Sequence, residues 1–215
     1  MKRFFSCLFL LASLSLSAQE FNMKLAGDLK PRNIGPGGMS GRVTSIDVVT
    51  SEPDIMYVGT ASGGLWKSTS GGIKWEPIFD KEVTASIGAV AIQQSNPSVI
   101  WVGTGEGNPR NSHNTGKGIY KSLDGGKTWT KQLGDEEYTG ATDLVMDPRD
   151  PDVLYAATWD RHRTVASYMG GGPGSGLHRS TDGGETWERL TKGLPKSNMA
   201  KIVASENAGK VADLA

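Results

Sequence analysis

Cysteine is almost absent from this sequence: Cys7 is the only one in 215 residues. It lies in residues 1–18, which have the order of a secretory signal peptide. Basic Lys2 and Arg3 come first, then a mostly apolar run over 4–16, then small Ser17 and Ala18 before Gln19. Cleavage is expected after Ala18. It would remove Cys7 and leave a chain with neither a disulfide nor a cysteine nucleophile. The mature protein is therefore expected to be secreted, periplasmic or on the cell surface.

Other things are lacking. After residue 18 no apolar run approaches the ~20 residues of a membrane span, and no stretch has the period of a useful amphipathic helix. Neither charge sign dominates. Without Lys2 and Arg3 the chain carries 21 basic and 23 acidic residues, a formal −2, which favours neither nucleic acid nor an anionic membrane. His113, His162 and His178 show no i, i+4 pairing for a metal. There is no G-x-S-x-G nucleophile motif, and residues 170–176 are glycine-rich without the lysine of a phosphate loop. No metal or cofactor is expected.

Glycine, by contrast, is abundant, with 29 residues, and much of it sits in a repeat. Ser180-Thr181-Asp182-Gly183-Gly184-Glu185-Thr186-Trp187 is preceded by Ser122-Leu123-Asp124-Gly125-Gly126-Lys127-Thr128-Trp129 and by a degenerate Ser68-Thr69-Ser70-Gly71-Gly72-Ile73-Lys74-Trp75. The copies start 54 and 58 residues apart, a blade-type period. Each reads as a hairpin. The glycines supply positive φ, the Asp closes the turn by accepting backbone N–H groups, and the Trp offers a large face for burial. Ser68, Trp75, Ser122, Asp124, Trp129, Ser180, Asp182 and Trp187 are thus expected to be structural, with the first turn the loosest because Ser70 replaces Asp.

Around each hairpin the same four strands are predicted: residues 43–49, 55–60, 65–69 and 74–79, then 87–92, 99–104, 119–123 and 128–133, then 142–147, 153–158, 177–181 and 186–190. A proline turn joins the first two strands each time, at Pro53, Pro97 and Pro151. The expected organisation is a signal peptide (1–18), a lead-in (19–41) and three units (42–80, 86–134 and 141–191) within 42–195. Residues 196–215 would be the start of a fourth unit or a truncated tail.

The motif S-x-D-G-G-x-T-W resembles the Asp-box, or BNR repeat, of sialidases, sortilin-type receptors, xyloglucanases and a photosystem assembly factor. Residues 57–60 and 64–68 make the chain most similar to secreted bacterial proteins of the sortilin N-terminal-like, WD-YVTN-BNR-like kind. The resemblance covers about residues 32–195. It implies an all-β propeller of four-stranded antiparallel blades, about three of them present, with the remaining blades in a longer protein. It implies no single activity, since the fold hosts many.

In such a propeller the loops between second and third strands share one face. Here they hold 4, 14 and 18 residues, and the long pair is the candidate binding surface. Its candidate residues are Glu106, Arg110 and His113 in the second unit and Trp159, Asp160, Arg161 and His162 in the third. Arginine suits a carboxylate and tryptophan a sugar ring. The leading reading is a non-catalytic scaffold for a glycan or a protein or peptide ligand. The alternative is a glycoside hydrolase of xyloglucanase or sialidase type with catalytic residues partly outside this chain, and an assembly factor is a third. Two departures weigh against hydrolysis. Where the resemblance to xyloglucanases implies a first-blade acid, this chain has Ala61. The Arg-Ile-Pro motif implied by sialidases is not matched by Pro31-Arg32-Asn33-Ile34.

Overall fold

The computed structural model describes residues 42–108, 114–134, 136–166 and 168–192. The expected signal peptide, lead-in and fourth-unit start, together with Arg110 and His113, lie outside the described residues.

Three four-stranded antiparallel sheets follow one another along the chain. The first is β1 (Val43–Val48), β2 (Ile55–Thr60), β3 (Leu65–Thr69) and β4 (Glu76–Pro77). The second is β5 (Ile87–Ile92), β6 (Ile100–Thr104), β7 (Ile119–Ser122) and β8 (Thr130–Leu133). The third begins with β9 (Thr139–Met146) and β10 (Leu154–Asp160). A two-stranded hairpin, β11 (His162–Arg163) with β12 (Tyr168–Met169), interrupts it before β13 (Gly176–Ser180) and β14 (Glu188–Leu190) complete it. The fold is all-β, as the repeat predicts.

The turn between the first two strands is built identically in each sheet. In the first, Val49 N–H donates to Ile55 O, Glu52 N–H to Val49 O and Ile55 N–H to Glu52 O. Gln93, Asn96 and Val99 repeat those bonds, as do Asp147, Asp150 and Val153. The proline in each turn lies where no donor is needed.

Apolar side chains meet mainly between sheets. Tyr57, Leu65 and Phe79 of the first pack with Ile87, Val90 and Ile100 of the second. Ala91, Trp101 and Ile119 of the second pack with Ala141, Leu144 and Leu154 of the third. β5 is buried at all six positions because neighbours cover both its faces, which is why it reads as a continuous apolar run.

Two features differ from expectation. The fourth strands begin later than predicted, because the Thr of each complete motif is held by the turn: Thr128 and Thr186 direct both N–H and hydroxyl to Asp124 and Asp182. In the first sheet β4 shrinks to two residues and ends at Pro77, which has no N–H for the ladder. The hairpin β11–β12, inside what reads as a polar loop, was not predicted. It is held by pairing of His162 with Met169 and Arg163 with Tyr168 and by the Arg163 guanidinium 5.3 Å from the Tyr168 ring.

Candidate functional site

A threonine ends the second strand of the first two sheets and lies two residues before the end of the second strand in the third, and each closes the loop that follows. Thr60 Oγ1 donates to Gly64 O (2.9 Å) and accepts from Gly63 N–H (2.8 Å). Thr104 Oγ1 donates to Gly118 O (2.6 Å) and accepts from Lys117 N–H (2.7 Å). Thr158 Oγ1 donates to Gly174 O (2.7 Å). With the loop base fixed this way, length varies freely above it, and the longer loops carry the polar cluster.

Just beyond these threonines lie three buried charges: Glu106 at 3%, Asp160 at 4% and Arg161 at 2% exposure. Burial of a charge demands a partner. Glu106 has one, since Arg42 Nη2 donates to its Oε2. Asp160 is turned into its own loop, where its Oδ2 accepts from Gly174 N–H (3.2 Å) and its backbone N–H donates to Ser175 Oγ (2.9 Å). The Arg161 guanidinium lies 4.6 Å from the Trp159 ring and 5.8 Å from the Tyr168 ring. Its Nη1 reaches Asn108 O at 3.5 Å, while its Nε has no hydrogen-bond partner among the described residues. Stacking on aromatic faces offsets part of the desolvation.

Glu106, Trp159 and Arg161 are thus brought together, and with Asn114 and Thr142 they line a cavity of about 10 Å3. That is room for about one water molecule and no organic ligand. His162 stands apart, stacked on Tyr138 with ring centroids 4.0 Å apart, with Lys117 over the same Tyr138 ring. Trp159, half-buried, donates its indole N–H to Gly170 O (2.8 Å).

A wider cleft of about 220 Å3 lies nearby, lined in part by Glu136, Thr139, Thr158, His178 and Arg189. Thr158 Oγ1 lies within reach of Gly174 O (2.7 Å) and Gly176 O (3.2 Å) and 3.3 Å from His178 Nδ1. Burial, and then the Arg189 charge, push the His178 pKa below its ordinary value, so the ring is neutral at pH 7. Arg189 Nη1 and Nη2 donate to Pro173 O and Ser175 O. The cleft is therefore polar, with Glu136 as its carboxylate.

Sequence reasoning missed Arg42, Tyr138 and this cleft. Arg42 lies 64 residues from its partner Glu106, and no local pattern marks such a pair. The threonines were visible as a recurrence at 60, 104 and 158. No cluster of three or more His, Cys, Asp or Glu suited to a metal occurs among the described residues.

The BNR/Asp-box repeat model matches residues 120–131 and 178–189. A xyloglucanase of Paenibacillus sp is 26% identical over 196 residues, covering 86% of this chain and 18% of the relative. An oligoxyloglucan-reducing end-specific xyloglucanase of Emericella nidulans is 32% identical over 111 residues, covering 49% of this chain and 13% of the relative. This chain thus spans less than a fifth of either relative's length. The crystal structure of an ancestral GH74 enzyme superposes with a TM-score of 0.54 at 21% identity, over 75% of this chain and 20% of that one. The repeat matches, the three four-stranded sheets and these relatives together make the chain a BNR/Asp-box repeat β-propeller chain related to xyloglucanases.

Proposed function

We propose that this chain is the glucan-recognising part of an exported glycoside hydrolase of the xyloglucanase kind, whose catalytic carboxylates come at least partly from outside the described residues. The observation that carries the reading is the sequence relation to a xyloglucanase across 86% of the chain. It moves the glycosidase alternative ahead of the non-catalytic scaffold. Export rests on the basic-then-apolar pattern of residues 1–18.

The geometry suggests how the work is divided. Glycoside hydrolysis generally uses two carboxylates flanking the bond. Glu106 is engaged by Arg42 in a cavity that admits no sugar, and Asp160 is engaged by its own loop. Both are placed to hold loops rather than to move protons. Ala61, buried at 3% exposure, contributes no acid. What remains is recognition. Trp159 presents an aromatic face, and the 220 Å3 cleft is smaller than the roughly 300–1,000 Å3 of sites for larger ligands, so it suits one sugar unit rather than a chain.

The experiment is retention of the full-length protein on immobilised xyloglucan, with released reducing ends measured in parallel. Retention with reducing-end release is expected, and Trp159→Ala should weaken retention about tenfold, on the order of 1.4 kcal/mol. Neither retention nor release would overturn the reading. Retention without release would favour the second reading, a binding scaffold, to which Ala61 points.

A further inference from the structure

The sheets are joined by a side-chain contact that repeats along the chain. In each, the third strand carries a cation directly across from an aromatic residue of the second: Lys67 opposite Tyr57, Lys121 opposite Trp101, and Arg179 opposite Tyr155. The cations lie 5.4, 4.9 and 5.7 Å from the ring centroids. The first two also reach forward into the next sheet. Lys67 Nζ donates to Gly125 O (3.0 Å), and Lys121 Nζ donates to Gly183 O (2.7 Å). Gly125 and Gly183 are the first glycines of the next two Asp-box turns.

The second glycine of the second and third turns rests on the preceding unit. A Cβ on Gly126 would strike Ile78, and one on Gly184 would strike Trp101. The turn's tryptophan follows: Trp129 donates its indole N–H to Ile78 O (2.8 Å), and Trp187 meets the Trp101 ring edge-on, centroids 6.1 Å apart. A cation over an aromatic ring, with Ile78 in the first case and Trp101 in the second beneath the second glycine, therefore forms a socket for the Gly-Gly turn of the next sheet.

Arg179 and Tyr155 form the third such socket. Arg179 Nε and the Tyr155 hydroxyl are both buried, and neither has a hydrogen-bond partner among the described residues. A buried donor without a partner costs the full desolvation of the group. We infer that Arg179 and Tyr155 receive the Asp-box hairpin of a further blade, with Arg179 donating to the carbonyl of its first glycine.

That occupant fits better than the first hairpin of a second copy. The first turn has Ser70 in place of Asp, and Ser70 Oγ holds Lys74 N–H. Asp124 holds Lys127 N–H, Thr128 N–H and the Thr128 hydroxyl. Sockets on the first two sheets hold only complete motifs. The inference rests on the fold alone, so its failure would leave the glucan reading untouched.

The test compares the 215-residue chain with a lengthened form in which residues 141–192 are repeated once directly after Lys192, the rest being kept. Thermal melts and amide exchange are the readouts. Arg179→Met should lower the melting temperature of the lengthened form by about 4–10 °C and that of the parent by less than half as much. Arg179→Lys, matching the residue of the first two sheets, should restore most of the loss. Lys121→Met should lower both forms equally. Amides of the inserted Asp-box turn should be protected. An equal effect of Arg179→Met on both forms, or an unprotected inserted turn, would overturn the inference. So would a parent dimer dispersed by Arg179→Met, because the socket would then serve a second copy.

Discussion

The hydroxyl that opens each motif has a larger structural part than its size suggests. Ser180 Oγ accepts from Gly184 N–H (2.8 Å) and from Asp182 N–H (3.3 Å), and it donates to Asp182 Oδ1 (2.7 Å). Ser122 repeats all three contacts. Ser180 is buried at 2% exposure, as is Ser122 at 1%. Ser180→Ala would strand the buried Gly184 N–H, and a loss of about 1–3 kcal/mol is expected, measurable by urea unfolding. An unchanged unfolding midpoint would mean that the turn stands without this hydroxyl. The Ser at the head of the motif is readable in the sequence as a strand end. Its role as the acceptor on which the turn winds is not, because that role depends on the left-handed backbone at Gly183 and Gly184, with φ of 68° and 84°.

At the scale of the element, the three turns share a shape but not a chemistry. The Thr186 hydroxyl, its N–H and the Ser180 hydroxyl hold the Asp182 carboxyl down at about 2. The Thr128 hydroxyl, its N–H and the Ser122 hydroxyl hold Asp124 lower still. A carboxyl with depressed pKa stabilises the fold above its ordinary value of 3.8 and loses that contribution as pH falls through the folded value. The third turn should therefore loosen between about pH 4 and pH 2, the second over a window that starts at the same pH and extends lower, and the first not by this route, since Ser70 has no carboxyl. Site-resolved amide exchange in acid checks this; Ser70→Asp should confer the same sensitivity on the first turn, and equal loosening of all three in the unaltered chain would contradict it. Four strands around each Gly-Gly turn were legible because strand length and turn residues repeat. The hairpin β11–β12 was not, because Arg163 and Tyr168 are ordinary loop residues until their side chains meet. The late start of the fourth strands was hidden for a related reason: Thr-Trp has strand propensity, but the carboxylate holds the Thr.

Across the molecule, sheets approach one another where the second strand carries glycine. A Cβ on Gly103 would come within 2.5 Å of Ala141 O, and one on Gly59 would meet the Ile87 side chain. Backbone cannot yield as a side chain can. Gly103→Ala should cost about 1–3 kcal/mol through overpacking, and more than Gly59→Ala, with thermal melts of the two variants as the check. Equal losses would mean that the second and third sheets are free to part. The sequence shows glycine at 59 and 103 and alanine at 157, but their meaning lies in spacing between units, which no single unit reveals. The same limit hid the Arg42–Glu106 pair and left the site half-read. Glu106, Trp159 and Arg161 could be picked out by residue type, whereas the smallness of the cavity they enclose could not.

The forward reach of Lys67 and Lys121 to Gly125 and Gly183 has a consequence for how such a chain can change over generations. Donor and acceptor lie 58 and 62 residues apart, the cation on one unit's third strand and the carbonyl in the next unit's Asp-box turn, and the second unit carries both a cation that reaches forward and a turn that is reached. A gene segment copied in tandem brings both halves together, so the new unit fits its neighbours on each side without any further substitution. Deletion of one whole unit is equally tolerated at the seam. Inversion is not, because Lys67 and Lys121 both reach the same way along the chain. Unit number is therefore free to drift while unit order and direction are held.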